Sequence, residues 1–412
     1  MAFRGAAWAL FAATLLWKLK RRSSRGFCAA AFVASLHFLL PPIVHEVLLL
    51  VCSSVLVGVA HRGCELLPVE NRAVLVTGEA RRWSQVRHGP QVRHGPERCW
   101  SQVRHGPQVR HGPEQLTCLH QGCDSGFGHE LARRLSQVGV LVFAGVLDAH
   151  GAGAQRLRAG TSEKLQVLQL DVTDDRQIEA AHRYICTQVN DTGLWGLVNN
   201  AGILQCPVDA EIQPMKTLLD YLDVNFLGAV KMSQVFLPLL RRSRGRIINM
   251  SSLAGAVPVP LFAAYGASKA ALAIYSEVMR LELSAWGVRV SLVQPSGFRT
   301  NIFGASDDIS RHGDQLLATV SSEVREDYGH AYISSLPGVL IRMSQQSAAD
   351  LSPVVDAMYH ALLSRRPAPL YTPGQMAWLL PFLRRCCPSA VFDSITMKLL
   401  NLADHQPAGI QS

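Results

Sequence analysis

Between residues 72 and 301 six short apolar runs alternate with longer amphipathic stretches, and this alternation constrains the fold more than any other feature of the chain. The runs are RAVLVTG, VLVFAGVL, LQVLQLDV, GLVNNAG, GRIINMSS and VRVSLVQPSG. They are near-continuous in apolar residues, the pattern of strands buried on both faces. The stretches between them, over residues 129–138, 174–187, 214–240 and 263–285, carry apolar residues at helical spacing. Repeated units of this kind predict an α/β fold, a doubly wound parallel sheet with helices on both faces. Ligands of such sheets bind at the carboxyl ends of the strands.

Chemistry-bearing residues fall at those ends. In YGASK, Tyr265 and Lys269 stand four apart and share one helix face, and Ser252 lies 13 residues upstream at the end of a predicted strand. A phenol titrates near 10 unaided, so it is a weak base at neutral pH; an adjacent ammonium favours the phenolate and brings it into working range. Ser252 is placed to hydrogen-bond a substrate oxygen and hold it over Tyr265. A Tyr-x-x-x-Lys pair alone is ordinary surface chemistry, and its weight comes from the company it keeps.

A second group of residues suits a dinucleotide. In CDSGFGHELARRL, Ser125, Gly126, Phe127 and Gly128 open an amphipathic helix, where backbone amides can meet a pyrophosphate and a Cβ would obstruct it. Asp148 stands 20 residues beyond Gly128, after the strand LVFAGVL. A carboxylate there accepts ribose hydroxyls and repels a 2′-phosphate, and no Arg follows it closely, so NAD is expected over NADP. Asp171, in QLDVTD, also ends a strand, where an Asp is equally an ordinary cap.

These parts occur with NNAG at residues 199–202, VNFLG with Asn225, and QPSGFRTN with Pro295 and Thr300. In this order they resemble the short-chain dehydrogenase/reductase family, a Rossmann-type fold, and in particular its steroid-oxidising members. The resemblance implies Tyr265 as acid/base, Lys269 as the group that lowers its pKa and holds the nicotinamide ribose, Ser252 as substrate-orienting, and Asn225 as support for a proton-relay water. It also implies NAD held by Thr77, Gly78, Ser125, Gly126, Phe127, Gly128, Asp148, Asp171, Asn199, Ala201, Gly202, Tyr265, Lys269, Pro295 and Thr300. Ser296 departs from the family, which usually has Gly there. Within the family the chain is most similar to members that oxidise the 17β-hydroxyl of estradiol and testosterone; members acting at C11 of cortisol, or on retinol and other lipids, share many of its motifs. Expected partners are a steroid and membrane lipid, with a homodimer allowed for.

The flanks suit such a partner. Apolar runs at residues 6–17 and 26–60, separated by the basic loop WKLKRRSSR, read as a retained membrane anchor over residues 1–65, and the expected location is the endoplasmic reticulum membrane. The 66–304 region is expected to be the dehydrogenase domain, and 305–412 the substrate-pocket region with an apolar segment, QMAWLLPFL, that suits a lid, a dimer contact or a membrane surface. The net charge of +9 does not point to nucleic acid, because residues 79–122 alone hold seven Arg against three Glu and no basic stripe is interleaved with aromatics. Cys118, His120 and Cys123 lack a second half, so no metal site is expected, and the ten cysteines form no framework.

One segment breaks the pattern. The strand VLVTG and the turn CDSGFG should be contiguous, yet residues 79–122 separate them. Inside lies QVRHGP four times, nested in a 17-residue repeat that begins at Trp83 and again at Trp100. Such Gly/Pro repeats cannot bury a core of their own. Translated non-coding sequence accounts for them better than a disordered insertion or an Arg/His module for anions or metal. The expectation is that the 412-residue chain binds NAD poorly, and that a chain without residues 79–122 binds it well.

Overall fold

The computed structural model describes residues 73–77, 117–120, 123–160, 163–303, 320–399 and 407–410. The expected anchor, Gly78 and the QVRHGP repeats lie outside the described residues. No helix among the described residues is long and apolar enough to cross a membrane.

A single parallel sheet organises the chain. Its strands are β1 (Ala73–Thr77), β2 (Thr117–His120), β3 (Leu141–Val146), β4 (Leu165–Gln169), β5 (Gly196–Asn199), β6 (Arg246–Met250), β7 (Arg289–Val293) and β8 (Leu370–Tyr371). Six of these match the expected runs; β2 and β8 were not expected. From one edge the order is β4, β3, then β1 and β2, then β5, β6, β7 and β8. Strand order reverses between β3 and β5, where doubly wound sheets open their ligand crevice.

The alternation of side chains along a strand divides the core into two layers. On one face Val142, Ala144, Val198, Ile248 and Val293 pack under helices α1 (Gly126–Gln137) and, later in the chain, α9 (Ser352–Leu363) through Leu131, Leu135, Val354, Met358 and Leu362. On the other, Leu141, Phe143, Leu197, Ile247 and Val290 meet three helices. These are α3 (Asp175–Val189), α5 (Gly228–Ser243) and α6 (Ala263–Ser284). Phe143 and Phe236 are fully buried at that contact. Burying such a side chain is worth about 1.5–3 kcal/mol relative to leaving it exposed.

Two helical expectations needed revision. The stretch 214–240 is not one helix: α4 (Met215–Leu222) and α5 are joined by a π-helical turn, Asp223–Leu227. The turn widens the coil by one residue and directs Asn225 into the interior. The region after residue 301 is more ordered than its texture suggests, with α7 (Ser322–Tyr328), α8 (His330–Gln346), α10 (Leu379–Cys386) and α11 (Ser389–Leu399). Pro337 and Gly338 read as breakers but lie inside α8, where Pro337 is buried. A short helix after β3, α2 (Ala152–Gly160), was also missed.

Candidate active site

The carboxyl ends of β5, β6 and β7 converge on α6. After β6 the chain turns through Ser251 and Ser252. Ser251 Oγ donates to the carbonyl of Lys269 at 2.8 Å, its N–H donates to Val293 at 2.8 Å, and Leu253 N–H donates to Pro295 at 2.9 Å. The turn is thereby tied to α6 and to the end of β7. Ser252 Oγ accepts from Ala254 N–H at 3.2 Å and caps the short 3₁₀ turn Leu253–Gly255, which holds the hydroxyl half-buried.

Tyr265 and Lys269 lie on the first turns of α6. Lys269 is buried, donates to the Met250 carbonyl at 3.1 Å, and has Nζ 5.9 Å from the centre of the Tyr265 ring. The Tyr265 ring is held edge-to-face by Tyr221 at 5.9 Å and Phe262 at 6.3 Å. Tyr221 was not singled out in the sequence, although it stands one helical turn before Asn225. Its hydroxyl accepts from Gln205 N–H at 2.7 Å, and burial pushes its phenol far above the ordinary range. Tyr221 is thus a fixed wall for the Tyr265 ring, and burial keeps its own proton on.

Asn225 links the pieces. Its Oδ1 accepts from Ile203 N–H at 2.8 Å, and its Nδ2 donates to Ile203 O and to Ser268 Oγ, both at 3.1 Å. A Cβ on Gly202 would stand 3.1 Å from Lys269 Nζ and 3.3 Å from Asn225 Oδ1, so a side chain there would press on both. Asn199 is turned elsewhere: Nδ2 donates to Asn249 Oδ1 at 2.8 Å and to Ser233 at 3.0 Å, within the layer that joins the sheet to α5. Its side chain braces the sheet, and Ala201 and Gly202 carry the backbone toward the site.

At the other end of the crevice, Ser125 precedes α1 without capping it, and Gly126 has φ +71°, a conformation that favours glycine. The first amides of α1 therefore face outward with no acidic residue in the first turn, as an anion requires. Phe127 packs edge-to-face on Phe298 at 5.7 Å. Asp148 is exposed, and its Oδ1 accepts from His150 N–H at 2.9 Å. Asp124 sits nearby; burial, with Asp148 adding to it, raises its carboxyl above the ordinary range. Two arginines stand closer than their sequence distance suggests: Arg156 donates to Asp124 O at 2.9 Å and Arg158 to Ala149 O at 2.7 Å. Asp171 is buried and accepts from both the N–H and hydroxyl of Thr173, the ordinary cap that the sequence also allowed.

A cavity of about 230 Å³ joins these groups. Ser252, Tyr265 and Lys269 share it with Phe127, Gly202, Pro295 and Thr300, and its outer wall is apolar: Leu204, Phe262, Phe303, Met343, Leu380 and Leu399. Ser296 is accommodated by the tail: its N–H donates to Pro373 O at 3.1 Å, and its Oγ points toward Gly374. Thr77 ends β1 in register with Asn199.

Residues 117–309 match the sequence profile described as short chain dehydrogenase. The chain is 42% identical to estradiol 17-beta-dehydrogenase 2 of Mus musculus over 284 residues, 69% of this chain and 74% of that one. The chain belongs to the short-chain dehydrogenase/reductase family. This family member is also 42% identical over 270 residues to 11-beta-hydroxysteroid dehydrogenase type 2 of Oryctolagus cuniculus, a match covering 66% of each chain. Among solved structures, a short-chain dehydrogenase/reductase from Burkholderia phymatum in complex with NAD has the same fold, with TM-score 0.55 and 16% identity over 78% of this chain and 95% of that one. As in the family generally, the fold is one that binds NAD or NADP, and the glycine-opened α1 and the close approach at Gly202 fit such a dinucleotide.

Proposed function

We propose that the protein is an NAD-dependent hydroxysteroid dehydrogenase that oxidises the 17β-hydroxyl of an estradiol- or testosterone-like steroid to the ketone. The observation that carries this reading is the half-buried Tyr265 phenol, flanked by Ser252 and Lys269, on the floor of a cavity whose outer wall is apolar. A flat hydrocarbon substrate fills such a wall, and its one reacting hydroxyl finds the polar floor. Ser252 Oγ orients that hydroxyl. Tyr265 Oη takes its proton, and the buried Lys269 ammonium stabilises the phenolate that the transfer needs. A nicotinamide held beside Tyr265 and Lys269 would supply the hydride acceptor. Asn225 holds the Ile203 backbone and Ser268, fixing the wall behind Lys269.

NAD over NADP is supported by the exposed Asp148, whose carboxylate opposes a 2′-phosphate, while Arg156 and Arg158 are occupied by backbone carbonyls. Placement at the endoplasmic reticulum membrane is supported by the apolar runs at residues 6–17 and 26–60 and by exposed Trp378 and Phe382 beside Arg384 and Arg385. A homodimer is supported by the exposed row Ile274, Val278 and Leu281 along α6. The 42% identity to an 11-beta-hydroxysteroid dehydrogenase favours one second reading, oxidation at C11. The test is NADH formation with estradiol, testosterone and cortisol as parallel substrates. Turnover of cortisol alone selects the second reading, and turnover that survives Tyr265→Phe refutes both.

A further inference from the structure

Asp148 stands on the turn that follows β3, and that turn is gripped from the neighbouring strand. β4 ends at Gln169, in register with Val146 at the end of β3. From there the Gln169 carboxamide reaches across the turn: Oε1 accepts from Ala149 N–H at 2.9 Å, and Nε2 donates to Leu147 O. One side chain thus holds the backbone on both sides of Asp148, and the partners fix which way its amide points, since an N–H needs an acceptor and a carbonyl a donor. The turn is also shaped from within, where Asp148 Oδ1 accepts from His150 N–H at 2.9 Å and Asp148 O from Gly151 N–H at 3.1 Å. Arg158 of α2 donates to Ala149 O at 2.7 Å.

We propose that Gln169 is a positioning residue for dinucleotide choice: by clamping Leu147 and Ala149 it presents Asp148 to the ribose and keeps Arg158 engaged at Ala149 O. The inference rests on the reading of this crevice as an NAD site. A 2′-phosphate brings negative charge where a 2′-hydroxyl brings none, so a carboxylate held in place repels it and an arginine accommodates it. The clamp works on both groups at once.

The other supports do not replace it. The bonds to His150 and Gly151 lie inside the turn and do not tie it to the sheet. Leu147 has a second tie, its backbone hydrogen bond to the Asp124 carboxyl, so loss of Gln169 falls chiefly on Ala149. Ala149 then keeps a methyl against the core and the Arg158 contact, and neither fixes the direction of its N–H. Once that peptide turns, Asp148 is free to swing away and Arg158 is released toward the place a 2′-phosphate would occupy. Gln169 itself is exposed, so replacing it leaves both core layers intact.

The proposal is tested by calorimetric binding of NADH and NADPH to the full chain as wild type, Gln169→Ala, Gln169→Glu, and Gln169→Ala combined with Arg158→Ala. Gln169→Ala should lower the preference for NADH over NADPH at least about fivefold. Gln169→Glu keeps an acceptor for Ala149 N–H and adds a negative charge beside Asp148, so its preference should fall by less than about twofold. An unchanged preference in Gln169→Ala, or the same loss in Gln169→Glu, overturns the proposal. Adding Arg158→Ala should remove most of the NADPH affinity that Gln169→Ala gains, and full persistence of that gain overturns the part given to Arg158. Amide hydrogen exchange without nucleotide supplies a second readout: Ala149 N–H should exchange at least about fivefold faster in Gln169→Ala, and unchanged exchange overturns the clamp. If the wild type binds neither nucleotide, or favours NADPH, the NAD reading fails and the selectivity role falls with it, whereas exchange still decides whether Gln169 clamps the turn.

Discussion

The two ends of the ligand crevice are built differently. Around Tyr265 the elements are cross-tied: Ser251 ties β6 to α6, Leu253 ties the same turn to β7, and Asn225 bridges Ile203 and Ser268. At the opening of α1, Ser125 makes no side-chain cap, Gly126 has φ +71°, and Asp148 stands exposed. The difference teaches that reacting groups can be held by several cross-ties while the backbone turn that suits a dinucleotide is left open. It also means that chemistry and nucleotide binding are separable by mutation.

The sharpest test of that separation is Tyr265→Phe, which should lower turnover by about 10²–10⁴-fold while NADH affinity measured by fluorescence is nearly unchanged. Loss of both together would erase the contrast between the two ends. Next is Gly202→Ala, whose methyl meets Lys269 Nζ and Asn225 Oδ1; nucleotide affinity should fall by about tenfold, measured by calorimetry. Asn225→Ala leaves the Ile203 amide and carbonyl without that partner, and thermal unfolding should report a loss of about 2 kcal/mol. Tyr221→Phe keeps the ring against Tyr265 and removes only the acceptor for Gln205 N–H. Its kcat should fall by less than about tenfold, and a much larger drop would show the hydroxyl acting in the reaction.

The smallest effect belongs to the cofactor end and depends on pH. Burial, with Asp148 nearby, raises the Asp124 carboxyl above its unfolded value, so the fold favours its neutral form. That contribution to stability is full below the unfolded carboxylate pKa and is lost as pH rises through the folded one. Asp124→Asn should therefore raise Tm at neutral pH and change little at about pH 3, as followed by circular dichroism.

Much of this is legible in the sequence. Near-continuous apolar runs gave the buried parallel strands, and the i, i+4 spacing of Tyr265 and Lys269 placed them together. What the sequence concealed has specific physical reasons. A π turn has no periodicity of its own, so residues 214–240 read as one helix. Pro337 in α8 reads as a breaker, because the burial that retains it is a tertiary effect. Asn199 matches a cofactor motif, but its side chain serves the sheet. Thr117–His120 was hidden because four residues with one His and one Cys carry too little pattern, and they adjoin a repeat that draws attention away from them.

The π turn at Asp223–Leu227 has one more consequence. It is a helix carrying a residue too many, so the segment is sensitive to count more than to kind. Exchanging Val224 for another aliphatic residue leaves the coil intact. Deleting it would let α4 and α5 fuse into one regular helix whose flanks stay nearly in phase, because the wide turn absorbs its extra residue, but Asn225, inside the turn, would rotate relative to Tyr221. Tyr221 and Asn225 would then no longer face Tyr265 and Ile203 together. Length at this point is under stricter constraint than composition, and a one-residue deletion here should disable the protein where many substitutions would not.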